Sequence, residues 1–137
     1  MTCPGVSVLI GCYGDYPQYS LRAVESVVEG CRERGFELLV GANACGPRTI
    51  SALRAQMDSG RIDALFECRM NLNKDRMMRL LIDAAAHPYV LWMDDDSHVT
   101  PGWAEGLQGF LARHAPFDCA GHVFYWRFGE NAMAQVE

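Results

Sequence analysis

Short apolar runs alternate along the chain with longer segments in which apolar residues recur at every third or fourth position. Alternation of this kind predicts strands that alternate with amphipathic helices. The predicted strands are Val6 to Ile10, Phe36 to Gly41, Ile62 to Cys68, Tyr89 to Met93 and Phe117 to Tyr125. The fourth run is continuously apolar, which is typical of a strand that is buried on both faces.

The segments between these runs predict four helices, each with an apolar stripe along one side. The stripes comprise Leu21, Val24, Val27, Val28 and Cys31; then Ile50, Leu53 and Met57; then Met78, Leu81, Ile82 and Ala85; and finally Trp103, Leu107, Phe110 and Leu111. Gly35 and Gly60 are placed to end the first two helices. Thr100 and Pro101 have the N-cap and first-turn chemistry that begins the fourth.

The resulting order, β-α-β-α-β-α-β-α-β, predicts the α/β fold class, with a mostly parallel sheet and helices on both faces. The length of 137 residues fits one domain with a core of its own. We assign this core to residues 1–125. Residues 126–137 show no clear periodicity, and we expect them to be a tail or the start of a further part.

Composition and charge exclude several classes of protein. The net charge is −5, from 17 acidic and 12 basic residues, which argues against a nucleic-acid-binding surface. The six cysteines lack zinc-site spacing and lie mostly in apolar runs, so we expect reduced thiols and a cytoplasmic location. The first residues do not have the pattern of a signal peptide. No stretch approaches the ~18 apolar residues of a membrane span.

The strongest candidate for a functional site is the acidic triplet Asp94-Asp95-Asp96, which directly follows the fourth predicted strand. In open α/β sheets, ligands bind beyond the carboxyl ends of the strands. Adjacent carboxylates repel one another, and a divalent cation such as Mn²⁺ or Mg²⁺ offsets that repulsion. On an extended backbone, Asp94 and Asp96 would point to the same side and share the ion. The alternative is a solvated acidic loop before the next helix, which explains one carboxylate better than three.

Two other segments are weaker candidates. Gly11 to Pro17 has small residues that let a ligand approach the backbone, and the Tyr13 ring can stack on a base, although a plain β-to-α turn also explains the segment. Arg69 to Arg76, with Arg79 one turn further, carries cations suited to a diphosphate, although an ordinary solvated helix start is simpler. His98 is either a ligand or a residue of a surface loop. The phosphate-binding patterns GxGxxG and GxxxxGK are absent.

Taken in order, these segments resemble the family 2 glycosyltransferases with the GT-A fold. Residues 6–28 look like the opening strand, nucleotide loop and first helix of that family, and residues 37–46 look like its second strand and turn. Residues 71–103 match the run that ends in the DxD motif and the following helix start. The triplet together with Thr100 to Trp103 is the most specific part of the resemblance.

The resemblance implies a nucleotide-diphospho-sugar donor and transfer of the sugar, with inversion, to a saccharide or another hydroxyl acceptor. The implied substrate-binding residues are Cys12, Tyr13, Asp15, Asn43, Arg79, Asp94 and Asp95. Asp96 is implied to hold Mn²⁺ or Mg²⁺ against the diphosphate, and we assign Asp94 as a second ligand of the metal. The catalytic base of the family is expected beyond Glu137, so no catalytic residue is named and the chain is expected to be an incomplete catalytic unit.

The chain departs from the family pattern in three places. Asn43 stands where the family usually has Asp, Gly11 stands where it has Pro, and Met78-Arg79-Leu80-Leu81 replaces Arg-Asn-x-Gly. Two alternatives therefore stay open. One is a non-catalytic fragment that binds a nucleotide or a metal. The other is a phosphatase like the haloacid dehalogenases, in which Asp94 and Asp96 would act as nucleophile and acid.

Overall fold

The computed structural model describes residues 3–118, 124–128 and 132–136, and it confirms the α/β fold class. Within those residues the elements are, in chain order, β1 (Val6–Gly14), α1 (Pro17–Arg34), β2 (Glu37–Cys45), α2 (Pro47–Asp58), β3 (Ala64–Cys68), α3 (Asn73–Ala84), β4 (Tyr89–Asp94), α4 (Trp103–His114), β5 (Phe124–Phe128) and β6 (Ala132–Val136).

The first four strands form one parallel sheet in the order β3-β2-β1-β4. Successive side chains of β1 point to opposite faces of this sheet. Val8 and Ile10 pack with α1, α2 and α4 on one face, whereas Leu9 packs with α3 on the other. The predicted arrangement, with helices on both faces, is confirmed. From β1 the chain continues to β2 and β3 on one side, and it then returns to place β4 on the other side of β1. The carboxyl ends of β1 and β4 therefore form a topological switch point.

The parallel strands differ from the apolar runs in length and in exposure. β1 and β2 continue to Gly14 and Cys45, because buried small and polar residues such as Asn43 extend the ladder beyond the apolar runs. The prediction that Tyr89 to Met93 is buried on both faces is wrong for Val90, which is 42% exposed. β4 is the end strand of this sheet within the described residues, so one side of it lacks a neighbouring strand.

Some helical stripes are shifted from their predicted positions. α3 buries Met77 and Leu81, whereas the predicted Ile82 is 43% exposed. A Cβ atom at Gly41 of β2 would overlap the Met77 sulfur, so the absence of a side chain at Gly41 lets α3 pack in this orientation. On α2, the predicted Met57 is 38% exposed.

The predicted ends of the helices are partly confirmed. Gly35 ends α1 with a left-handed φ of 67°, as its position in the sequence predicted. Thr100 is not the N-cap of α4, because Gly102 takes that position with φ 86°. Thr100 instead accepts the Trp103 N–H in the turn before the helix, with 3.2 Å between nitrogen and oxygen.

The carboxyl-terminal strand predicted from Phe117 to Tyr125 is also placed differently. Phe117 and Asp118 are outside any strand, residues 119–123 lie outside the described residues, and β5 begins at Phe124. β5 pairs with β6 in a separate two-stranded antiparallel sheet, and the sequence pattern did not predict β6. The boundary that we placed between residues 125 and 126 stays a prediction.

None of the helices in the described part of the chain is long and apolar enough to cross a membrane. The described cysteines Cys3, Cys12, Cys31, Cys45 and Cys68 are free thiols. Cys119 lies outside the described residues.

Candidate functional site

The acidic triplet lies at the switch point of the parallel sheet, where β1 and β4 end side by side. Gly11 of β1 is paired with Asp94, the last residue of β4. The Asp94 carbonyl accepts the Ser97 N–H at 3.1 Å, so the backbone turns at once after the strand. The triplet is therefore not extended, which was the condition for Asp94 and Asp96 to point to the same side, and their joint binding of an ion stays a prediction.

Both carboxylate oxygens of Asp94 are engaged by neighbouring side chains. The Lys74 ammonium nitrogen lies 2.9 Å from Oδ1 and 3.0 Å from Oδ2, and the Trp92 indole N–H donates to Oδ1 at 3.0 Å. A hydrogen bond from Lys74 to Asp94 raises the pKa of the Lys74 ammonium, so Lys74 stays protonated at neutral pH.

Asp95 connects the triplet to the end of β1 and to the first turns of α1. Its Oδ2 atom accepts the Tyr13 N–H and the Ser20 hydroxyl, each at 3.3 Å. Partial burial raises the pKa of Asp95 above its ordinary value of 3.8, although these hydrogen bonds oppose that rise. Asp95 therefore holds the end of β1 and the start of α1 next to the end of β4.

Asp96 is exposed, and no hydrogen bond or ion pair among the described residues involves its carboxylate. The described chain contains no group of three His, Cys, Asp or Glu side chains that could hold a metal ion without other ligands. Mg²⁺ and Mn²⁺ usually take one or two protein carboxylates and complete their coordination with water and substrate phosphates. The oxygen chemistry and exposure of Asp96 fit such an ion, and its ligand role stays a prediction.

A cleft of about 190 Å³ opens at the same edge of the sheet, next to the triplet. It is lined by Tyr13, Asn43, Asn71, Asn73 and Lys74. Tyr13 is 46% exposed, so its ring is accessible from the cleft. This cleft contains two of the predicted substrate-binding residues, Tyr13 and Asn43. Its other lining residues, Asn71, Asn73 and Lys74, belong to the weaker candidate segment from Arg69 to Arg76.

Asn43 forms one wall of the cleft from a fully buried position. It is 1% exposed, and its Oδ1 accepts the Leu72 N–H at 2.8 Å while its Nδ2 donates to Asn71 Oδ1 at 3.2 Å. Asn71 Oδ1 also accepts the Asn73 N–H at 2.8 Å. These bonds attach the start of α3 to the end of β2, and thereby place Lys74 at the cleft.

Asp15 and Cys12 lie near the end of β1, outside the cleft. Asp15 Oδ1 accepts hydrogen bonds from the Thr49 N–H at 2.9 Å and from the Thr49 hydroxyl at 3.0 Å. Asp15 Oδ2 accepts a hydrogen bond from the Arg48 Nε–H at 3.2 Å. These contacts, led by the bond from the Thr49 backbone, lower the pKa of Asp15. Cys12 is fully buried, which raises the pKa of its thiol. Neither side chain is part of the cleft lining, and their predicted contacts with a nucleotide stay predictions.

Arg79 and His98 are not brought into the cleft. Both are exposed, and neither makes a hydrogen bond within the described residues. Arg79 lies on α3 beyond its first turn, whereas the cleft is bordered by the first residues of that helix. His122, a further histidine, lies outside the described residues.

A second and larger cavity, of about 380 Å³, lies at the opposite edge of the sheet. Its lining includes Gly35, Glu37, Asp63 and His87, from the amino-terminal ends of strands and the loops before them. We place the functional site at the smaller cleft, because ligands of open parallel sheets bind beyond the carboxyl ends of the strands.

Three contacts of the site were missed by the sequence pattern. Lys74 lies in a basic segment that a solvated helix start explains more simply, Trp92 is predicted only as part of a strand, and the pattern gives Ser20 no role. Asp94 and Lys74 are 20 residues apart, and Asp95 and Ser20 are 75 residues apart. Local spacing contains no signal for such pairs, although the sole lysine of the chain, close to two asparagines, is a compositional hint.

The sequence matches a model of the family described as glycosyl transferase family 2 over residues 7–136. None of the curated proteins matches it. The match covers the triplet, the cleft and the parallel sheet, and it confirms the resemblance that the motifs indicated.

Several solved structures share the fold. Mannosyltransferase PcManGT from Pyrobaculum calidifontis, in complex with GDP-Man and Mn²⁺, is similar with a TM-score of 0.67 and 18% identity over 80% of this chain and 33% of that chain. TarS from S. aureus has a TM-score of 0.66 and 13% identity over 79% of this chain and 19% of that chain. A shorter form of TarS in complex with UDP-GlcNAc has a TM-score of 0.59 and 15% identity over 80% of this chain and 31% of that chain.

These similarities confirm the predicted GT-A fold, a Rossmann-like parallel sheet flanked by helices. The chain spans about a third or less of the length of these solved chains.

Proposed function

The chain belongs to glycosyl transferase family 2, and from that premise we propose that it binds a nucleotide-diphospho-sugar donor at the cleft beside Asp94, Asp95 and Asp96. The sugar would be transferred, with inversion, to a hydroxyl group of a saccharide or another acceptor. The observation that carries the proposal is the meeting of the cleft, the triplet and Lys74 at the switch point of the sheet. This is where open α/β folds bind nucleotides.

The chemistry of the cleft supports a nucleotide as its ligand. The exposed ring of Tyr13 offers a face on which a base can stack. The Lys74 ammonium and the first N–H groups of α3 lie at the same edge and favour phosphate oxygens. Asp95 holds the end of β1, which carries Tyr13, so this wall of the cleft is fixed before a ligand arrives.

Asp96 is the residue that we propose as the protein ligand of Mn²⁺ or Mg²⁺. Its carboxylate is exposed at the end of β4 and is not engaged by another described side chain. When bound, such an ion neutralises the negative charge that builds on the departing diphosphate. Two of the similar solved structures contain nucleotide-diphospho-sugars, GDP-Man with Mn²⁺ and UDP-GlcNAc, which supports this class of donor.

The proposal is tested by calorimetric titration of the protein with UDP, GDP and their sugar conjugates, in Mn²⁺, in Mg²⁺ or in EDTA. At least one nucleotide should bind, and Asp96→Asn should weaken the metal-dependent part of binding by about tenfold or more, since it removes the charged ligand. Asp83→Asn, an exposed carboxylate on α3, is the control and should leave binding unchanged.

Absence of binding by every nucleotide under all three conditions would overturn the proposal. Transfer is measured separately, by release of the nucleoside diphosphate from the bound donor with and without added saccharide acceptors. Tight donor binding without any release would support the non-catalytic alternative. Release of phosphate from a generic phosphomonoester would instead support the phosphatase.

A further inference from the structure

Lys74 is the only lysine in the sequence, and it forms an ion pair with the first residue of the acidic triplet. Its Nζ atom lies 2.9 Å from Asp94 Oδ1 and 3.0 Å from Oδ2, so the ammonium contacts both carboxylate oxygens. The Trp92 indole adds a third contact at 3.0 Å from Oδ1. Asp94 is thus held by two donors that come from α3 and from β4 itself.

The position of Lys74 is determined by the polar network that precedes it. The Asn43 side chain accepts the Leu72 N–H, and the Asn71 side chain accepts the Asn73 N–H. Asn73 has a left-handed φ of 64°, which turns the chain sharply into α3. Because Asn43 is buried and anchors this network, the first residues of α3 are fixed in position, and the Lys74 ammonium lies next to Asp94.

We propose that Lys74 is a specificity-determining residue of the donor site, because its ammonium withholds Asp94 from a divalent cation. Of the two carboxylates assigned to the metal, the free protein then offers the cation Asp96 alone, and the cation binds together with the diphosphate of the donor. This inference rests on the proposed function. It differs from the assignment of Asp94 and Asp96 as joint ligands, which would give the protein a metal site of its own.

Charge at the edge of the sheet gives Lys74 a second effect. Its positive charge balances Asp94, so the triplet repels an approaching diphosphate less than three uncompensated carboxylates would. Removal of the ammonium therefore has opposite consequences for two ligands. It releases Asp94 as an oxygen ligand and strengthens the binding of a cation alone, while it weakens the binding of a nucleotide in the absence of metal. A merely structural role for Lys74 would weaken both.

The experiment compares the wild-type protein with Lys74→Gln and Lys74→Arg. Binding of Mn²⁺ alone is followed by the electron paramagnetic resonance signal of the free ion, and binding of UDP or GDP in EDTA is followed by calorimetry. Lys74→Gln should bind Mn²⁺ about fivefold more tightly and the metal-free nucleotide about fivefold more weakly, as expected for one charge at a partly exposed site. Lys74→Arg, which keeps the charge, should resemble the wild type.

Two further variants show whether Asp94 is the group released. Adding Asp94→Asn to Lys74→Gln should abolish the gain in Mn²⁺ affinity. Arg113→Gln removes an exposed charge of the same sign from α4 and should change neither measurement. Equal or weaker Mn²⁺ binding by Lys74→Gln would overturn the proposal.

A separate variant decides the matter even if Lys74→Gln does not fold. Asp94→Asn in the otherwise unchanged protein should weaken the binding of Mn²⁺ alone by no more than the roughly fivefold expected for one charge, and a much larger loss would show that Asp94 is already a ligand. The Mn²⁺ measurements need no nucleotide. Failure of the wild-type protein to bind any nucleotide with Mn²⁺ would therefore count against the proposed function, while the role of Lys74 would still be decided.

Discussion

The Ser20 hydroxyl on α1 donates a hydrogen bond to the Asp95 carboxylate, with 3.3 Å between Ser20 Oγ and Asp95 Oδ2. The Tyr13 N–H donates to the same oxygen. One carboxylate at the end of β4 therefore joins the end of β1 to the first turns of α1. The two hydrogen bonds stabilise an ionised group that has lost part of its hydration.

Replacement of Ser20 by alanine should lower the free energy of unfolding by about 1.5 kcal/mol, because the bond to a charged acceptor is lost. Ser20 is 1% exposed, so water does not readily take the place of the hydroxyl. Urea denaturation at neutral pH measures the change. Ser51→Ala, an exposed serine on α2, is the matched control and should stay within about 0.5 kcal/mol of the wild type. Equal effects of the two substitutions would contradict the role given to Ser20.

Replacement of Asn43 by aspartate should destabilise the protein by about 2 kcal/mol or more at neutral pH, although the two side chains have nearly the same volume. The substitution puts a buried negative oxygen where Nδ2 now donates to Asn71 Oδ1. The cost should decrease as the pH is lowered, because the new carboxyl group can donate to Asn71 once it is protonated. Denaturant titrations at several pH values measure this dependence.

Asn71→Asp is the control for that experiment. Asn71 is exposed, and its Oδ1 atom, which accepts both hydrogen bonds, is kept in aspartate. We expect the Asn71 substitution to cost less than the Asn43 substitution. The reverse order would show that Asn43 is not the anchor of the start of α3.

The parallel sheet could be predicted from the sequence because each of its strands contains a short apolar run between turn residues. The position of Asp94 to Asp96 at the ligand-binding edge followed from the same pattern, since the triplet comes directly after β4. The exposure of Val90 could not be predicted in this way. It depends on the place of β4 at one end of the strand order, which is a property of the tertiary fold.

The contacts inside the site were also beyond local prediction. Spacing along the chain identified Asp94 as one of three adjacent carboxylates. Its pairing with Lys74 depends on how α3 crosses one face of the sheet, from β3 at one end to β4 at the other. The contact of Asp15 with a nucleotide, implied by resemblance, stays a prediction, whereas the contacts of its carboxylate with Thr49 and Arg48 at the start of α2 had no local signal. Tertiary contacts decide which of several polar residues near a strand end remain available to a ligand.

Replacement of Gly41 by alanine should destabilise the protein by about 1–3 kcal/mol, because a Cβ atom there would overlap the Met77 sulfur. Met77→Ala alone should cost about 2–5 kcal/mol by leaving a cavity. The double substitution should cost less than the sum of the two, because the smaller side chain makes room for the new Cβ atom. Denaturation of all four proteins gives this coupling, and strict additivity would contradict direct packing of Met77 over Gly41.

Because of Asp15, the stability of the protein should vary with pH in the acidic range. Folding lowers the pKa of its carboxyl group below the ordinary 3.8, chiefly through the hydrogen bond from the Thr49 N–H, with further contributions from Arg48. The folded state therefore favours the ionised form, and the stabilisation is present above the unfolded-state pKa. It is lost as the pH falls through the lowered pKa of the folded state.

Asp15→Asn tests this dependence, because asparagine keeps an oxygen for the Thr49 N–H but removes the charge that pairs with Arg48. The variant should melt at a lower temperature than the wild type at pH 7, and the difference should shrink as the pH falls below 3.8. Arg48→Gln should reproduce part of the decrease at pH 7, since it removes the other member of the ion pair. Asp83→Asn, with an exposed carboxylate that has no hydrogen bond within the described residues, should show no such convergence. A difference between wild type and Asp15→Asn that stays constant down to strongly acidic pH would mean that the lost contact is geometric rather than ionic.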